Sequence, residues 1–324
     1  MKDIVNLAKS GASFCSFLTY INANVPTHLR KNPILHSPMQ ISVIVTTYNR
    51  ADALNLVLAA LMDQTDANFE VLISDDGSSD DTVRAIAAFA NRQSTRGPKR
   101  LVHARQSDQG FRASAARNMG VFAAHGDYLI FLDGDCIPRP EFVERHRLLA
   151  EPGFMVSGSR VLLSPKLTKE ILSSESVTPV YVLGMTYWLK QRLSGNANKI
   201  LPLLYLPNHT LRHYRSVKWS RIKSCNLAIW KKDFIAVNGF DESFVGWGHE
   251  DADLVLRLAR VGIKRKSGAF STEVFHLWHN ENARTSESEN RILVEERIKT
   301  GLVEAAIGLR SHPQSDQRLE QIIG

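Results

Sequence analysis

From residue 41 the chain falls into a two-part pattern that keeps returning, and few folds accommodate that repetition. Residues 41–46, Ile-Ser-Val-Ile-Val-Thr, form a short β-branched run of the kind that makes a buried strand. Residues 53–64 then place Leu54, Val57, Leu58, Leu61 and Met62 at helical spacing. The alternation returns as a strand over 69–74, a polar turn over 75–79 and a helix from about 80 to 90 whose start is rich in Ser and Asp caps. Residues 101–104 offer another short strand, 113–124 a helix ended near Gly126, and 128–132 a strand buried on both faces that runs into Asp133. Strands and helices alternating through short links predict an α/β fold: a Rossmann-like, mainly parallel sheet with right-handed crossovers, flanked by helices. Such sheets bind ligands beyond the carboxyl ends of their strands. Tyr48-Asn49, Asp75-Asp76 and Asp133-Gly134-Asp135 each follow a predicted strand, so one rim collects them.

Beyond Pro138 the pattern loosens. Residues 161–219 carry prolines and aromatics, 224–230 read as a strand, and a helix begins at Glu250 with Leu254, Val255, Leu258 and Val261 on one face and Gly262 as its C-terminal stop. A last amphipathic helix is expected over roughly 290–309. The division expected is an N-terminal extension over 1–39, a first half over 40–140 that carries the strand-end polar rim, a second half over 141–280 and a C-terminal helical segment over 281–324.

At 324 residues, 44% hydrophobic and 23% charged, the chain can bury one large core or two that share a cleft. A formal charge of +7 and a pI near 9.3 suit anionic partners such as nucleotide phosphates, acidic glycans, lipid headgroups or nucleic acid. Cys15, Cys136 and Cys225 lie too far apart for a CxxC motif, and their odd number argues against a disulfide framework, which fits a reducing cytoplasm. Residues 1–26 read as neither a cleaved signal nor an anchor, while 177–189, with Tyr181, Tyr187 and Trp188, suit a buried segment or a bilayer surface.

Asp133 and Asp135, at i and i+2 past an apolar strand, can offer hard oxygen ligands to Mn²⁺ or Mg²⁺ bridging to a diphosphate. Two carboxylates leaving a core strand are costly unless a cation or hydrogen bonds compensate. The segment Asp75-Asp76-Gly77-Ser78 reads as a turn and helix cap, with Asp76 also able to accept the N3–H of a uracil ring. Arg112 and Arg117 flank a helix start, where guanidinium and backbone N–H groups both favour phosphate, or else belong to a solvated basic face. In Gly246-Trp247-Gly248-His249-Glu250-Asp251 the indole between glycines suits a sugar platform, and a carboxylate beside it can take a hydroxyl proton. Asp253 suits the helix macrodipole. His276 and His279 offer a further metal ligand, with His276 ahead of His279. No GxGxxG follows the first strand and no GxxxxGK[ST] occurs, which removes dinucleotide-binding and P-loop readings.

Taken in order, residues 41–50, Asp75-Asp76-Gly77-Ser78-Ser79, Ala116-Arg117-Asn118 and Leu132-Asp133-Gly134-Asp135 resemble the nucleotide-binding half of family 2 glycosyltransferases with the GT-A fold. Residues 246–251 resemble a segment shared with galactosyltransferase-like C-terminal domains, and the likeness extends from residue 41 to about 279. Thr47 stands where many members carry proline, and Cys136 follows the D-x-D motif at a position where the residue type varies. The resemblance implies an inverting, metal-dependent hexosyltransferase that uses a UDP-sugar donor and a glycan or lipid-linked saccharide acceptor. Bacterial lipopolysaccharide, capsule or another surface polysaccharide is the expected product, made in the cytoplasm with peripheral contact at the inner membrane through groups such as Lys264-Arg265-Lys266, and with no nucleic acid partner. By matching position, Thr46, Tyr48, Asp76, Arg112, Asp133 and Gly134 would meet the nucleotide sugar, and Asp135 with His276 or His279 would hold the metal. Asp251 would be the base, helped by Glu250, with Trp247, Gly248 and His249 toward the acceptor. Two rivals remain: a nucleotidyltransferase, and a non-catalytic glycan- or nucleic-acid-binding protein drawn from Trp219 near Arg212, Arg215 and Lys218.

Overall fold

The computed structural model describes residues 39–90, 97–174, 176–177, 184–214, 222–280, 286–312 and 318–323. The expected N-terminal extension, apart from Met39, lies outside them, as do Arg215, Lys218, Trp219 and most of 177–183. The first half follows the predicted alternation: β1 (Ile41–Thr47), α1 (Ala51–Met62), β2 (Phe69–Asp75), α2 (Asp80–Ala90), β3 (Leu101–Arg105), α3 (Ala113–Ala123) and β4 (Tyr128–Asp133). There follow β5 (Cys136–Pro138), α4 (Phe142–Leu149), β6 (Phe154–Ser157), β7 (Ser159–Leu162), α5 (Pro165–Ser174), α6 (Met185–Leu193) and β8 (His213–Tyr214). The chain continues through β9 (Asn226–Trp230), α7 (Lys231–Ala236), α8 (Glu250–Arg260), β10 (Lys264–Ser267), β11 (Glu273–His276), α9 (Glu287–Thr300) and β12 (Arg318–Ile323).

Nine strands form one sheet in the order β12-β3-β2-β1-β4-β9-β6-β10-β8, and β5-β11-β7 form a second. The central run β3-β2-β1-β4 is parallel, whereas β9 runs antiparallel to both β4 and β6, and β12 and β8 are antiparallel edges. Along β1 the side chains alternate between two cores: Ile41, Val43 and Val45 pack with α1, and Ile44 packs with residues of α7 and α8. Tyr128, Ile130 and Leu132 of β4 share the first core, Leu129 and Phe131 the second, which is why β4 is apolar up to Asp133 and β1 is interrupted before Thr46 only by Ser42, whose hydroxyl donates to Glu70 Oε1 at 2.6 Å.

Registers explain the rim. Thr47 pairs with Asp75 and Thr46 with Asp133, so the polar residues that end β1, β2 and β4 emerge side by side. Two expectations are corrected. The last helix ends at Thr300, because Gly301 takes φ 72° and turns the chain, so 302–309 lies outside it. The stretch 161–219 is more regular than its sequence reads, holding the second half of β7, then α5, α6 and β8. Among the described residues no helix is long and apolar enough to cross a membrane.

Candidate active site

The turn after β2 is built around two carboxylates with different tasks. Asp75 is fully buried and accepts hydrogen bonds from Ser78 N at 2.7 Å and His103 Nε2 at 2.9 Å. Burial would raise its carboxyl, but the bonds from His103 and Ser78 outweigh burial and hold it below the ordinary range. Asp76 faces the cavity, and its Oδ2 accepts Arg112 N at 2.7 Å while Oδ1 accepts the Gln106 amide. Here burial prevails over those bonds, and the carboxyl is raised. Asp76 thereby caps α3. Arg112 occupies the N-cap position, and its guanidinium contacts Ser107 O at 3.3 Å. Tyr48 is half exposed at the mouth, its hydroxyl donating to Asp108 Oδ2 at 3.1 Å.

Past β4, the short strand β5 pairs antiparallel with β11 so that His276 stands opposite Cys136, and Leu277 N donates to Asp135 O at 2.9 Å. That pairing carries both histidines to Asp135: His279 Nε2 lies 3.2 Å from Oδ2 and His276 Nε2 3.8 Å from Oδ1. One ligand atom from each of the three residues falls within 4.8 Å of the others. His279 Nδ1 donates to Asn280 O at 2.8 Å, so a neutral ring turns the lone pair of Nε2 toward the carboxylate. Burial pushes the His276 imidazole down, with the nearby Asp135 charge opposing, and a neutral ring is the form that ligates. Two imidazoles and a carboxylate suit a first-row divalent cation such as Mn²⁺, and the residues present fit one. Both histidines, rather than one of them, stand within reach.

The opposite wall is a loop forced into left-handed backbone: Gly246 has φ 77°, Gly248 φ 106° and His249 φ 73°. A side chain at Gly246 would come within 2.7 Å of Ser286 Oγ, and Gly246 N is tied to Phe111 O at 3.0 Å. This tight passage ends at the N-cap of α8 and sets Glu250 and Asp251 in its first turn. Asp251 is buried, and its Oδ1 has no hydrogen-bond partner among the described residues. Glu250 is pushed up to about 7 by burial and by the Asp251 charge, against the pull of Arg117. Asp253 also forms a buried ion pair with Arg257 at 2.7 Å.

These walls enclose a cavity of about 1030 Å³. Thr46, Tyr48, Asp76, Asp133, Gly134, Asp135, Trp247, Gly248, Glu250, Asp251, His276 and His279 line it, while Arg112 and His249 stand outside the lining. Arg117 does not stand free for phosphate: its guanidinium is buried and bonded to carboxylates. Arg160, Lys169, Lys223 and Trp278 also line the cavity without having been singled out. Trp278 lies inside the histidine motif and had a signal, and its N–H is fixed by Thr168 Oγ1 at 2.8 Å. Arg160 had none, because it reaches the site through the pairing of β7 with β11.

Comparison with known proteins bears on the family and the fold. Residues 42–206 match the family described as Glycosyl transferase family 2, and residues 209–280 match the N-terminal domain of galactosyltransferase. Validoxylamine A glucosyltransferase of Streptomyces hygroscopicus subsp. jinggangensis (strain 5008) is 32% identical over 247 residues, 70% of this chain and 53% of that protein. Hyaluronan synthase of Pasteurella multocida is 30% identical over 70% of this chain and 23% of its own length. The chain thus spans about half, or less, of these relatives. Among solved structures, S. aureus TarS 1-349 in complex with UDP superposes with a TM-score of 0.54 at 14% identity, covering 84% of this chain and 68% of that one. The mannosyltransferase PcManGT from Pyrobaculum calidifontis, in complex with GDP-Man and Mn²⁺, gives 0.51 at 18% identity over 88% and 71%.

Proposed function

The chain belongs to glycosyl transferase family 2, and on that footing we propose that it moves a hexose or N-acetylhexosamine from a UDP-sugar to a hydroxyl of a glycan acceptor, with inversion at the anomeric carbon. One observation carries this reading: a carboxylate with two histidines and a second carboxylate with an unpartnered oxygen, Asp251, line a single cavity at the carboxyl ends of the parallel strands. Asp135, His276 and His279 would hold Mn²⁺ or Mg²⁺, which when bound neutralises charge on the leaving diphosphate. Thr46, Tyr48, Asp76, Arg112, Asp133 and Gly134 form the donor side. Trp247, Gly248 and His249 form the acceptor side. Asp251 Oδ1, with no hydrogen-bond partner among the described residues, accepts the proton of the acceptor hydroxyl as it attacks. Glu250, poised near neutrality and held by Arg117, orients a sugar hydroxyl beside it. The division of labour runs between residues 40–140 and 141–280, while 281–324, expected to be helical, supplies α9 and also the edge strand β12, which pairs with β3 of the first half.

The product in this reading is a bacterial surface polysaccharide such as lipopolysaccharide or capsule, a view supported by the names of the relatives, which include hyaluronan and chondroitin synthases. Peripheral contact with an anionic, cytoplasmic membrane face belongs to the same proposal and rests on the charge of +7. Of the basic triplet invoked for it, Lys266 is buried and bonded to Glu151 at 2.8 Å, and Arg265 is bonded to Ser157 Oγ at 2.7 Å and lies over the Tyr214 ring, which leaves exposed Lys264. Failure to sediment with anionic vesicles at low salt removes that element alone.

The test of the reaction is release of nucleoside diphosphate from a panel of UDP- and GDP-sugars with Mn²⁺, Mg²⁺ or EDTA, on wild type, Asp135→Ala and Asp251→Asn. Metal-dependent turnover lost in both variants is the expected result. Binding of a glycan without turnover of any donor supports the non-catalytic alternative instead.

A further inference from the structure

Two neighbouring residues of α3 reach both walls of the cavity. Arg117 is buried; its Nη2 donates to Asp133 Oδ1 at 3.1 Å and its Nη1 to Glu250 Oε1 at 3.3 Å. The guanidinium lies 5.2 Å from the ring centre of Phe240. Asn118 grips the backbone of that same Phe240 from both sides, donating to its carbonyl at 2.9 Å and accepting from its N–H at 2.9 Å, and it also donates to Glu242 Oε1 at 2.8 Å. The segment leading to Glu250 and Asp251 is therefore fastened to the helix whose arginine holds Asp133.

We propose that Arg117 is a positioning residue that ties donor-side Asp133 to acceptor-side Glu250, so that one guanidinium sets the relative placement of the two walls across which the sugar passes. The fork geometry matters. A guanidinium presents separate N–H groups in fixed directions and serves both carboxylates at once, whereas an ammonium is a point charge on a flexible stem. Asp251 stands next to Glu250 and adds to the negative field around the guanidinium, so loss of the cation leaves three carboxylates without the charge that balances them. This inference rests on the cavity being the site of glycosyl transfer.

The experiment is a double-mutant cycle on the full chain. Diphosphate release from the UDP-sugar panel with Mn²⁺ is measured for wild type, Arg117→Lys, Arg117→Met, Glu250→Gln and the combinations, alongside melting curves. Arg117→Lys, keeping the charge but not the fork, is expected to lower kcat by about tenfold or more with a much smaller change in donor KM. Arg117→Met is expected to be worse than the lysine variant. Joining either to Glu250→Gln should lower kcat little beyond the worse single variant, because the tie is already broken. Losses that multiply in the double variant, or an Arg117→Lys enzyme with wild-type kcat, overturn the proposal. If the methionine variant does not fold, the lysine cycle alone decides. A wild type that releases diphosphate from no donor overturns the transfer reading and this inference with it, whereas normal turnover with an indifferent Arg117 overturns only this one.

Discussion

Gly134 stands between the two carboxylates of the D-x-D motif and lies against the end of β1. Its N–H donates to Thr46 O at 2.7 Å, and a Cβ built there comes within 3.0 Å of Thr46 O and 3.2 Å of Thr47 Cβ. Backbone on the far side cannot give way as a flexible side chain would. Gly134→Ala is therefore expected to fold with a loss of roughly 1–3 kcal/mol, the usual cost of overpacking, read from denaturant unfolding. It should also weaken Mn²⁺ binding, since Asp133 and Asp135 flank the displaced residue; unchanged binding would mean that the close approach does not place them. His279 raises a second residue-scale question, because its Nδ1 bond to Asn280 O aims Nε2 at Asp135. Removal of a mere outer partner of a metal ligand already costs 10- to 100-fold in affinity, so His279→Ala should lose at least about 10-fold in a Mn²⁺ titration. His276→Ala should do the same, and a variant that titrates like wild type leaves the ligand set.

Elements that follow one another in space as they do in sequence were the legible ones. β1, β2 and β4 place apolar residues in a core on each side, with buried Ser42 and Glu70 bonded to each other at 2.6 Å, and their polar ends share a rim because parallel registers align them. The D-x-D motif and the Gly246–Asp251 loop carried local signals strong enough to be assigned to the cavity beforehand. β5 and β11 are three- and four-residue strands whose pairing joins distant parts of the chain, so local pattern alone does not bring His276 and His279 to Asp135, and that grouping comes from the family resemblance. The local context of Arg117 suggests a phosphate-binding side chain or a solvated basic face, and not a buried tie, for a similar reason: its partner Glu250 is 133 residues away. β11 also carries a titration that local pattern cannot reveal. Glu273 is fully buried, and its Oε1 accepts Phe270 N at 2.5 Å while Oε2 has no partner. Burial pushes its carboxyl up to about 7 from the ordinary 4.5, despite its bond to Phe270 and the charges of Arg139 and Lys199. The folded protein holds this proton more tightly than the unfolded chain does, so stability falls as pH rises through that window. Glu273→Gln should then be more stable than wild type at pH 8, by on the order of 3 kcal/mol at most, and equal to it near pH 4. A variant less stable at pH 8 would mean that Arg139 or Lys199 makes net use of the charge.

At the scale of the whole molecule, a chain with a net charge of +7 nevertheless surrounds its cavity with Asp52, Asp76, Asp133, Asp135, Glu250 and Asp251. Of the cations in the same lining, Arg50 pairs with Asp52 and Arg117 with Asp133 and Glu250, so neither is free to meet a diphosphate at full strength. The overall charge draws an anionic nucleotide toward the protein, and the local charge opposes its entry unless a divalent cation accompanies it. UDP alone should accordingly shift the melting temperature little. UDP and Mn²⁺ together should shift it by more than the two separate shifts combined if, as proposed, Asp135, His276 and His279 would hold an ion that neutralises the diphosphate. A ligand held at 100 times its Kd stabilises the native state by about 2.7 kcal/mol. In a protein of this size that corresponds to a rise of about 5 °C. EDTA and Asp135→Ala should each abolish the excess, whereas Asp251→Asn should keep it, since the proton acceptor is not needed to bind the donor. Equal shifts with and without Mn²⁺ would assign diphosphate binding to Arg160, Lys169 and Lys223, leaving the carboxylate and its two histidines without a part in donor binding.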